Sequence, residues 1–222
     1  MAWPKIRARR ITAISPWVSI IAREVEFSRG APRHLYHAVV QADYIAIVAV
    51  TPNGRIPIVR QYRPALETFS WELPAGLIDA GETALVCCRR ELREETGFTA
   101  RKVQPLARTF PCTGRLSNKI HSFFVEAGER VQNFEPEPGV FVKCVTPAQL
   151  VGLIRSGKFV SQLHIGALML AELHGFLSLP RPQPARGRAQ GRQRAHAPAR
   201  GRRPPETFSE RREGLPRKTR RR

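Results

Sequence analysis

The chain has 222 residues, enough for one domain of ordinary size with a short extension, and 42% of them are hydrophobic, which suffices for a packed core. The net charge is +19, but residues 180–222 contain 15 Lys and Arg against three acidic residues, a net +12 that leaves +7 for residues 1–179. This distribution argues against a nucleic-acid-binding surface on the folded body. No secretory signal, membrane-length apolar run or zinc-type cysteine spacing occurs, so we expect a cytoplasmic protein with no membrane partner.

The first part of the chain carries the alternating and β-branched patterns that are typical of strands. Between two of these runs, Pro52-Asn53-Gly54 is a hairpin-type turn, which predicts that the flanking strands pair with each other. We therefore expect antiparallel strands at the N-terminus and no dinucleotide-binding βαβ unit. The predicted strands are residues 17–28, 35–41, 44–51 and 56–61.

A helix is predicted over residues 82–95, with Gly97 placed to cap its C-terminus. Apolar residues recur in this segment at spacings of three and four, which predicts one core-facing stripe on the side opposite the acidic residues. The residues of that stripe are Ala84, Leu85, Cys88 and Leu92.

The second half of the chain predicts more strands and then two helices. Thr146-Pro147 has the preferred order of an N-cap followed by proline at the first helical position, so a helix should begin there and end before Gly157. The order of strands, helix, strands and helices predicts an α/β sandwich with a mixed sheet. The predicted strands are residues 102–110, 119–127 and 140–145, and the helices are 147–156 and 161–176.

Residues 180–222 are rich in Arg, Pro, Gly, Ala and Gln and almost free of large apolar residues. Such a segment cannot bury enough surface to offset its chain entropy, so we expect a disordered basic tail. Its function has three interpretations: a segment that binds RNA or an acidic partner, a solvated tail without a role, or out-of-frame sequence. Any nucleic acid would therefore bind through the tail only.

Four carboxylates and one arginine lie at set offsets between residues 76 and 98. On a helix, Glu91, Glu94 and Glu95 share one side, where like charges repel. A hard divalent cation with oxygen ligands would relieve that repulsion. The alternative is a solvated charged helix with internal pairs such as Arg90–Glu94. The segment is thus a candidate metal site.

Residues 76–98 resemble the Nudix box of the Nudix hydrolases, with glycine, glutamate, Arg-Glu, Glu-Glu and glycine at the family's spacings. The upstream segments 59–63 and 71–76 are similar to the ADP-ribose pyrophosphatase branch, and the resemblance covers about residues 12–178. It implies a Nudix-type α/β/α sandwich with a mixed sheet, preceded by antiparallel N-terminal strands. The matched positions are Gly76, Glu82, Arg90, Glu91, Leu92, Glu94, Glu95, Gly97 and Phe98.

The resemblance also implies roles for these residues and a Mg²⁺ cofactor, or Mn²⁺ in its place. Glu91 and Glu95 would bind the metal together with the carbonyl of Ala75, and Glu94 would bridge metals or orient a water. Arg90 would hold one of the carboxylates. Glu82 would brace the junction between loop and helix, and Gly76 and Gly97 would serve the motif structurally.

Further residues are candidates for contacts with a small-molecule nucleotide substrate. Arg60 and Arg63 suit phosphate oxygens, since the guanidinium fork matches their geometry, although arginines at a strand end are often only solvated. Glu72 is a candidate for ribose or metal binding, with an exposed strand carboxylate as the alternative. Trp17 either stacks on a base across a homodimer, as the resemblance implies, or packs in the core.

A catalytic acid after the box is expected on a loop, and Glu137 is our candidate, although loop carboxylates are commonly just solvated. Near Ser117, where the branch often has an acid, this chain has Lys119, which weakens the assignment of ADP-ribose. The predicted reaction is metal-dependent hydrolysis of the pyrophosphate bond in ADP-ribose or another nucleotide sugar. GDP-sugars, dinucleotides and oxidised nucleotides are alternative substrates, and a nucleotide- or RNA-binding module is the alternative class.

We divide the chain accordingly into three parts. Residues 1–40 form an N-terminal strand region, residues 41–179 form the Nudix hydrolase domain, and residues 180–222 form the basic tail.

Overall fold

A computed structural model describes residues 3–181; the predicted disordered tail lies outside the described residues. The described part contains ten strands, three α-helices and a short 3-10 turn at Pro64–Leu66. The strands are β1 Lys5–Ala13, β2 Ser19–Glu26, β3 Arg33–Val40, β4 Tyr44–Val50, β5 Ile56–Arg63, β6 Thr68–Glu72, β7 Ala75–Leu77, β8 Phe98–Thr109, β9 Ile120–Arg130 and β10 Phe141–Val145. The helices are α1 Ala84–Thr96, α2 Pro147–Arg155 and α3 Gln162–Leu173.

The central sheet has the strand order β7-β4-β9-β8. Strand β4 runs parallel to β9 and antiparallel to β7, and β9 runs antiparallel to β8. The sequence of β4 is apolar without alternation, and its residues 45–49 are fully buried, as expected for a strand covered on both faces. The predicted mixed sheet is thereby confirmed.

Alternate residues of β4 pack into two different cores. Ile45 and Ile47 lie in a cluster with Cys88 of α1, whereas Ala46 and Val48 lie in a second cluster with residues of α2 and α3. Because successive side chains of a strand point to opposite faces, this one segment joins both helical layers. The predicted α/β/α sandwich is confirmed.

The turn after β4 forms, but the predicted hairpin pairing is wrong. The amide of Thr51 donates to the carbonyl of Arg55 at 2.8 Å, and Gly54 has a φ of 71°. Strand β5 then pairs with β6 and β10 in a separate three-stranded sheet. Strand β7 pairs only with Tyr44, Ile45 and Ala46, so the part of β4 next to the turn loses its predicted partner because β5 joins the other sheet.

Three N-terminal strands form an antiparallel sheet in the order β1-β2-β3, which confirms the expected N-terminal strands. Strand β1 was not predicted from the sequence. Nearly every residue of β1 is exposed, so it has no buried apolar face that would produce the usual alternation.

Helix α1 begins after Thr83, whose hydroxyl accepts a hydrogen bond from the amide of Val86, and it ends at Gly97 with a φ of 77°. The predicted glycine cap is confirmed. The predicted core stripe needs two corrections. Leu85 is 46% exposed, and the buried side of the helix runs through Cys87 and Cys88 instead.

The second correction concerns the carboxylates. Cys87, Glu91 and Glu95 are spaced by four residues, so the two glutamates continue a buried row and do not lie opposite the core. This placement removes them partly from water, which decides their electrostatics below.

Helices α2 and α3 begin at side-chain caps. Thr146 and Gln149 form the complete capping box of α2, and the hydroxyl of Ser161 accepts a hydrogen bond from the amide of His164 in α3. The predicted start of α2 is confirmed. Among residues 3–181, the helices are too short or too polar to cross a membrane.

Candidate functional site

Arg90 is the centre of a network of ion pairs on α1. Its Nε and Nη2 atoms each donate to a carboxylate oxygen of Glu82 at 2.9 Å, and its Nη1 atom donates to Glu91 at 2.7 Å and to Glu94 at 3.1 Å. The hydrogen bonds from Arg90 lower the pKa of Glu82 to about 2. A two-pronged contact of this kind sets the orientation of the guanidinium as well as its position.

Glu82 also connects the helix to the loop before it, because it accepts a hydrogen bond from the amide of Asp79 at 3.2 Å. Arg90 in turn donates to the carbonyl of Leu77 at 3.2 Å. The two residues therefore join strand β7, the loop and helix α1. This is the bracing arrangement that the resemblance implies for them.

Glu95 faces the turn before strand β7. One carboxylate oxygen accepts a hydrogen bond from the amide of Ala75 at 2.9 Å. The pKa of Glu95 is raised to about 8, mainly by burial and also by the charge of Glu91, although the hydrogen bond from Ala75 lowers it. Burial likewise raises the pKa of Glu91, against the lowering effect of Arg90. The pair of carboxylates carries more negative charge than its protein neighbours compensate.

Gly76 explains how strand β7 comes this close to the helix. A methyl group placed on Gly76 would overlap the carboxylate of Glu91. A larger residue at this position would therefore push the Glu91 carboxylate away from β7. The first glycine of the motif is required by this close approach of β7 and α1.

The donor set suits a hard divalent cation in its chemistry. Carboxylate and carbonyl oxygens are the ligands that Mg²⁺ and Mn²⁺ prefer, and a cation would compensate the buried charge of Glu91 and Glu95. Within residues 3–181, however, no group of three or more His, Cys, Asp or Glu side chains is already arranged around one point. Glu94 is the exposed member of the set, with 55% of its side chain in contact with water.

A cleft of about 620 Å³ opens beside Ala75 and Gly76. Its polar wall contains Arg63 and Glu72, which form a two-pronged ion pair with distances of 2.9 and 2.6 Å. Glu72 is only 5% exposed, so the alternative of an exposed strand carboxylate does not hold for it. The other lining residues are Gln41, Tyr44, Ala65, Leu66, Ser70, Leu77, Val160, Ser161, Leu163 and His164.

Pattern reasoning on the sequence missed His164, which is 4% exposed. Its Nδ1 atom accepts a hydrogen bond from the amide of Leu73 at 3.3 Å and lies 3.8 Å from Glu72. Burial lowers the pKa of His164 to about 4, so the ring is neutral. The only sequence signal is its place three residues after Ser161, a helix N-cap, which does not indicate the contact with β6.

Tyr44, at the start of β4, was also missed as a cleft residue. Burial raises the pKa of Tyr44 to about 12, so its hydroxyl stays protonated and available as a hydrogen-bond donor. The sequence presents it as an ordinary strand residue.

Two predicted substrate residues lie away from this cleft. The guanidinium of Arg60 stacks over the rings of Phe69 and Phe141, at 4.6 and 5.9 Å from their centroids. Arg60 and Arg63 are three residues apart on β5 and thus point to opposite faces. Trp17 is 71% exposed, which excludes core packing within the described chain and leaves its ring available to a ligand or a second subunit.

The predicted loop acid Glu137 lies on the other side of the carboxylates. A groove of about 770 Å³ separates α1 from the loop of residues 131–139, and Glu137 lines it together with Glu135, Arg90 and Glu94. The structure thus brings Glu137 to the outer end of the network and not to the Arg63–Glu72 cleft.

Comparisons with known proteins agree with this geometry. Residues 41–163 match the NUDIX domain family model. The chain is 38% identical to the ADP-ribose pyrophosphatase of Bacillus subtilis over 82 residues, which are 37% of this chain and 44% of that protein. It is 28% identical over 177 residues to the CMP-5'-(N-acetyl-N-hydroxy-3-aminopropyl)phosphonate hydrolase of Streptomyces rubellomurinus, which are 78% of this chain and 85% of that protein.

The fold also has solved counterparts. A crystal structure of an ADP compounds hydrolase superposes with a TM-score of 0.65 at 23% identity, covering 80% of this chain and 98% of the other. The aligned part is less than half of the Bacillus protein, whereas it is most of the Streptomyces protein.

Proposed function

The chain belongs to the NUDIX family, and on that premise we propose that it hydrolyses the pyrophosphate bond of a nucleoside diphosphate linked to another group. The best candidate substrate is ADP-ribose or another nucleotide sugar. The observation that carries the proposal is the partly buried, under-compensated pair Glu91 and Glu95, which lies next to Ala75 at the edge of a cleft with an arginine.

In the proposed reaction the oxygen of a water molecule bonds to one phosphorus while the bond from that phosphorus to the bridging oxygen breaks. The bonding electrons stay on the bridging oxygen, which leaves as the phosphate of the second product. The attacking water gives up one proton. Glu94 and Glu137 are exposed carboxylates at the end of the network and are our candidates for orienting this water and accepting the proton.

The residues around the reacting bond have distinct tasks. Mg²⁺, or Mn²⁺ in its place, supplies positive charge to the pyrophosphate oxygens when bound, and Glu91, Glu94, Glu95 and the Ala75 carbonyl would hold it. Arg63 offers a guanidinium to phosphate or ribose oxygens in the cleft. Its ion pair with Glu72 keeps the fork in one orientation before substrate arrives, which lowers the entropy cost of binding.

A second substrate class has one specific observation in its favour. One relative that aligns over 85% of its length is named for a CMP conjugate, whereas another that aligns over 90% of its length is an ADP compounds hydrolase. Lys119 stands where the ADP-ribose branch often has an acid, and its amide donates to Asp43 at 2.7 Å. A cytidine-linked substrate is therefore our second candidate.

We also propose that the protein acts as a homodimer through its N-terminal sheet. Three large apolar side chains in this part of the fold are in contact with water: Ile11 of β1 at 63%, Leu35 of β3 at 56%, and Trp17, in the turn between β1 and β2, at 71% exposure. Ile11 pairs with Ile21 and Leu35 pairs with Glu24, so these two side chains lie on opposite faces of the sheet, and Trp17 is the exposed aromatic residue that a second subunit would cover. A dimer mass in sedimentation experiments with the full-length protein, and a monomer mass on Trp17→Glu substitution, are the expected results.

The function is tested by incubating the full-length protein and Mg²⁺ with a panel of nucleotides and identifying the products. The panel contains ADP-ribose, GDP-mannose, NADH, diadenosine polyphosphates, 8-oxo-dGTP and a CMP-linked sugar. We expect ADP-ribose to yield AMP and ribose 5-phosphate faster than the other compounds react. Preference for the CMP conjugate would favour the second candidate, and hydrolysis of none of them would overturn the proposal.

A further inference from the structure

Gly97 does more than end helix α1. The ring of Phe134, which belongs to the loop of residues 131–139, lies directly over this glycine. A methyl group placed on Gly97 would overlap the Phe134 ring, and its next contacts would be at 2.8 and 2.9 Å from two further Phe134 atoms. The positive φ of 77° already favours glycine here. Contact with Phe134 is a second, independent requirement for a residue without a side chain.

Several contacts hold the Phe134 ring and the start of its loop against the helix end. The guanidinium of Arg130 lies 5.1 Å from the centroid of Phe134 and 5.8 Å from that of Phe98. The same arginine donates through Nε to the carbonyl of Thr96 at 3.1 Å. The amide of Val131 donates to the carbonyl of Gly97 at 2.8 Å. Backbone bonds, a cation–π stack and ring packing thus act at one point.

Beyond Phe134 the loop has little freedom. Pro136 and Pro138 restrict φ at alternate positions, and Gly139 turns the chain with a φ of 84°. The amide of Val140 donates to the carbonyl of Glu137 at 2.9 Å, which closes this turn just before β10. Because the segment is short and stiff, the position of Phe134 determines where Glu135 and Glu137 lie.

These two glutamates line the groove of about 770 Å³ whose other wall is α1, with Arg90 and Glu94. We propose that Phe134 is a positioning residue, which by docking on Gly97 holds the loop carboxylates at the Glu94 end of the acidic network. Gly97 then provides the contact surface for the Phe134 loop, which is more than thirty residues away in sequence. This inference rests on the proposed function, since the carboxylates matter only if hydrolysis occurs in this site.

The test uses full-length protein and four variants. Phe134→Ala removes the ring, Phe134→Leu keeps an apolar side chain of similar reach, and Gly97→Ala places a methyl group under the ring. The matched control is Gln132→Ala, which alters an exposed neighbour in the same loop. Each protein is examined by hydrogen exchange of residues 128–141 and by kcat and KM for the best substrate of the nucleotide panel.

We expect Phe134→Ala to speed exchange across the loop and to lower kcat about tenfold or more, with KM within about threefold of wild type. Phe134→Leu should recover most of the loss, and Gln132→Ala should resemble wild type in both measurements. Unchanged exchange in Phe134→Ala would overturn the docking. Faster exchange with an unchanged kcat would overturn the positioning role.

A double-mutant cycle identifies the contact itself. If Gly97 acts on kcat through Phe134, Gly97→Ala should lower kcat in the wild type and have little further effect on kcat in Phe134→Ala. If the double mutant loses kcat by the product of the two single losses, Gly97 does not act through Phe134 and the proposed contact is overturned. If wild-type protein hydrolyses no nucleotide, the proposed function fails together with the catalytic role of the loop, whereas the exchange data still decide whether Phe134 holds the loop.

Discussion

Two carboxylate groups of the same motif differ in their surroundings. Glu82 sits at the start of the helix and is matched by both prongs of Arg90, so its pKa falls to about 2. Glu95 lies on the side of α1 that faces β7, is largely removed from water, and receives one backbone hydrogen bond. Its pKa therefore rises to about 8. The same residue type is thus compensated at one position and under-compensated at the other, and we propose a structural role for the first and a chemical role for the second. Burial and counter-charge separate the two roles, which spacing alone does not.

The largest expected effect comes from removing the under-compensated charge. Glu95→Gln keeps an acceptor for the amide of Ala75 but removes the anionic oxygen that would hold a cation. We expect kcat with Mg²⁺ to fall by about a thousandfold, as for loss of a principal source of charge stabilisation. Steady-state kinetics on the best nucleotide of the panel measure this. Glu172→Gln, at a half-buried position near the end of α3, is the control, and wild-type turnover in Glu95→Gln would remove Glu95 from the site.

Gly76 tests whether the distance between β7 and Glu91 matters. Gly76→Ala would place a methyl group into the Glu91 carboxylate and displace it, and a shift of about 1 Å can cost roughly a hundredfold in kcat. Gly152→Ala in α2 is the matched control, because no atom lies within 4 Å of the added methyl group. That control should gain about 0.5–1 kcal/mol of stability from helix propensity. Equal kinetics for both alanine variants would show that the close approach is not needed for turnover.

Stability should change in opposite directions at the two carboxylates. In metal-free protein, the folded state of Glu95 keeps a proton between about pH 4.5 and 8 while the unfolded state has lost it, so the free energy of unfolding falls as the pH rises through this window. Glu95→Gln should therefore be more stable than wild type at pH 8 in EDTA, by roughly 3 kcal/mol. Glu82→Gln should be less stable, because it loses the clamp on Arg90. Denaturant unfolding at pH 5 and pH 8 measures both signs, and two shifts of the same sign would contradict the comparison.

The sequence predicts the spacing of the motif residues far better than it predicts which of the motif carboxylates are removed from water. The motif predicts the glycine cap Gly97 because local spacing along one helix determines it, whereas Gly76 lies in β7 and Glu82 in the loop before α1. It does not show that Glu91 and Glu95 join a buried row, since that depends on how α1 lies on the sheet. The hairpin at Gly54 fails because β5 pairs with β6 and β10 in another sheet, and strand β1 escapes prediction because it has no buried apolar face. Arg63 and Glu72 meet on the neighbouring strands β5 and β6, but His164 joins them only through long-range packing.

His164 has the smallest predicted effect, and it tests whether the cleft wall depends on a neutral ring. The groups that face it are Glu72, which favours a proton on the ring, and Arg63, which disfavours it, but burial dominates and the pKa is about 4. Between pH 4 and 6.5 the unfolded state binds a proton that the folded state does not, so the free energy of unfolding falls as the pH decreases through this window. Wild type should lose about 2 kcal/mol more than His164→Asn between pH 7 and pH 5, because asparagine keeps an acceptor near the Nδ1 position and does not titrate. If the free energy of unfolding depends on pH in the same way in both proteins, the ring is already protonated or hydrated in the folded state. A neutral ring that accepts a hydrogen bond from Leu73 would then be the wrong assignment.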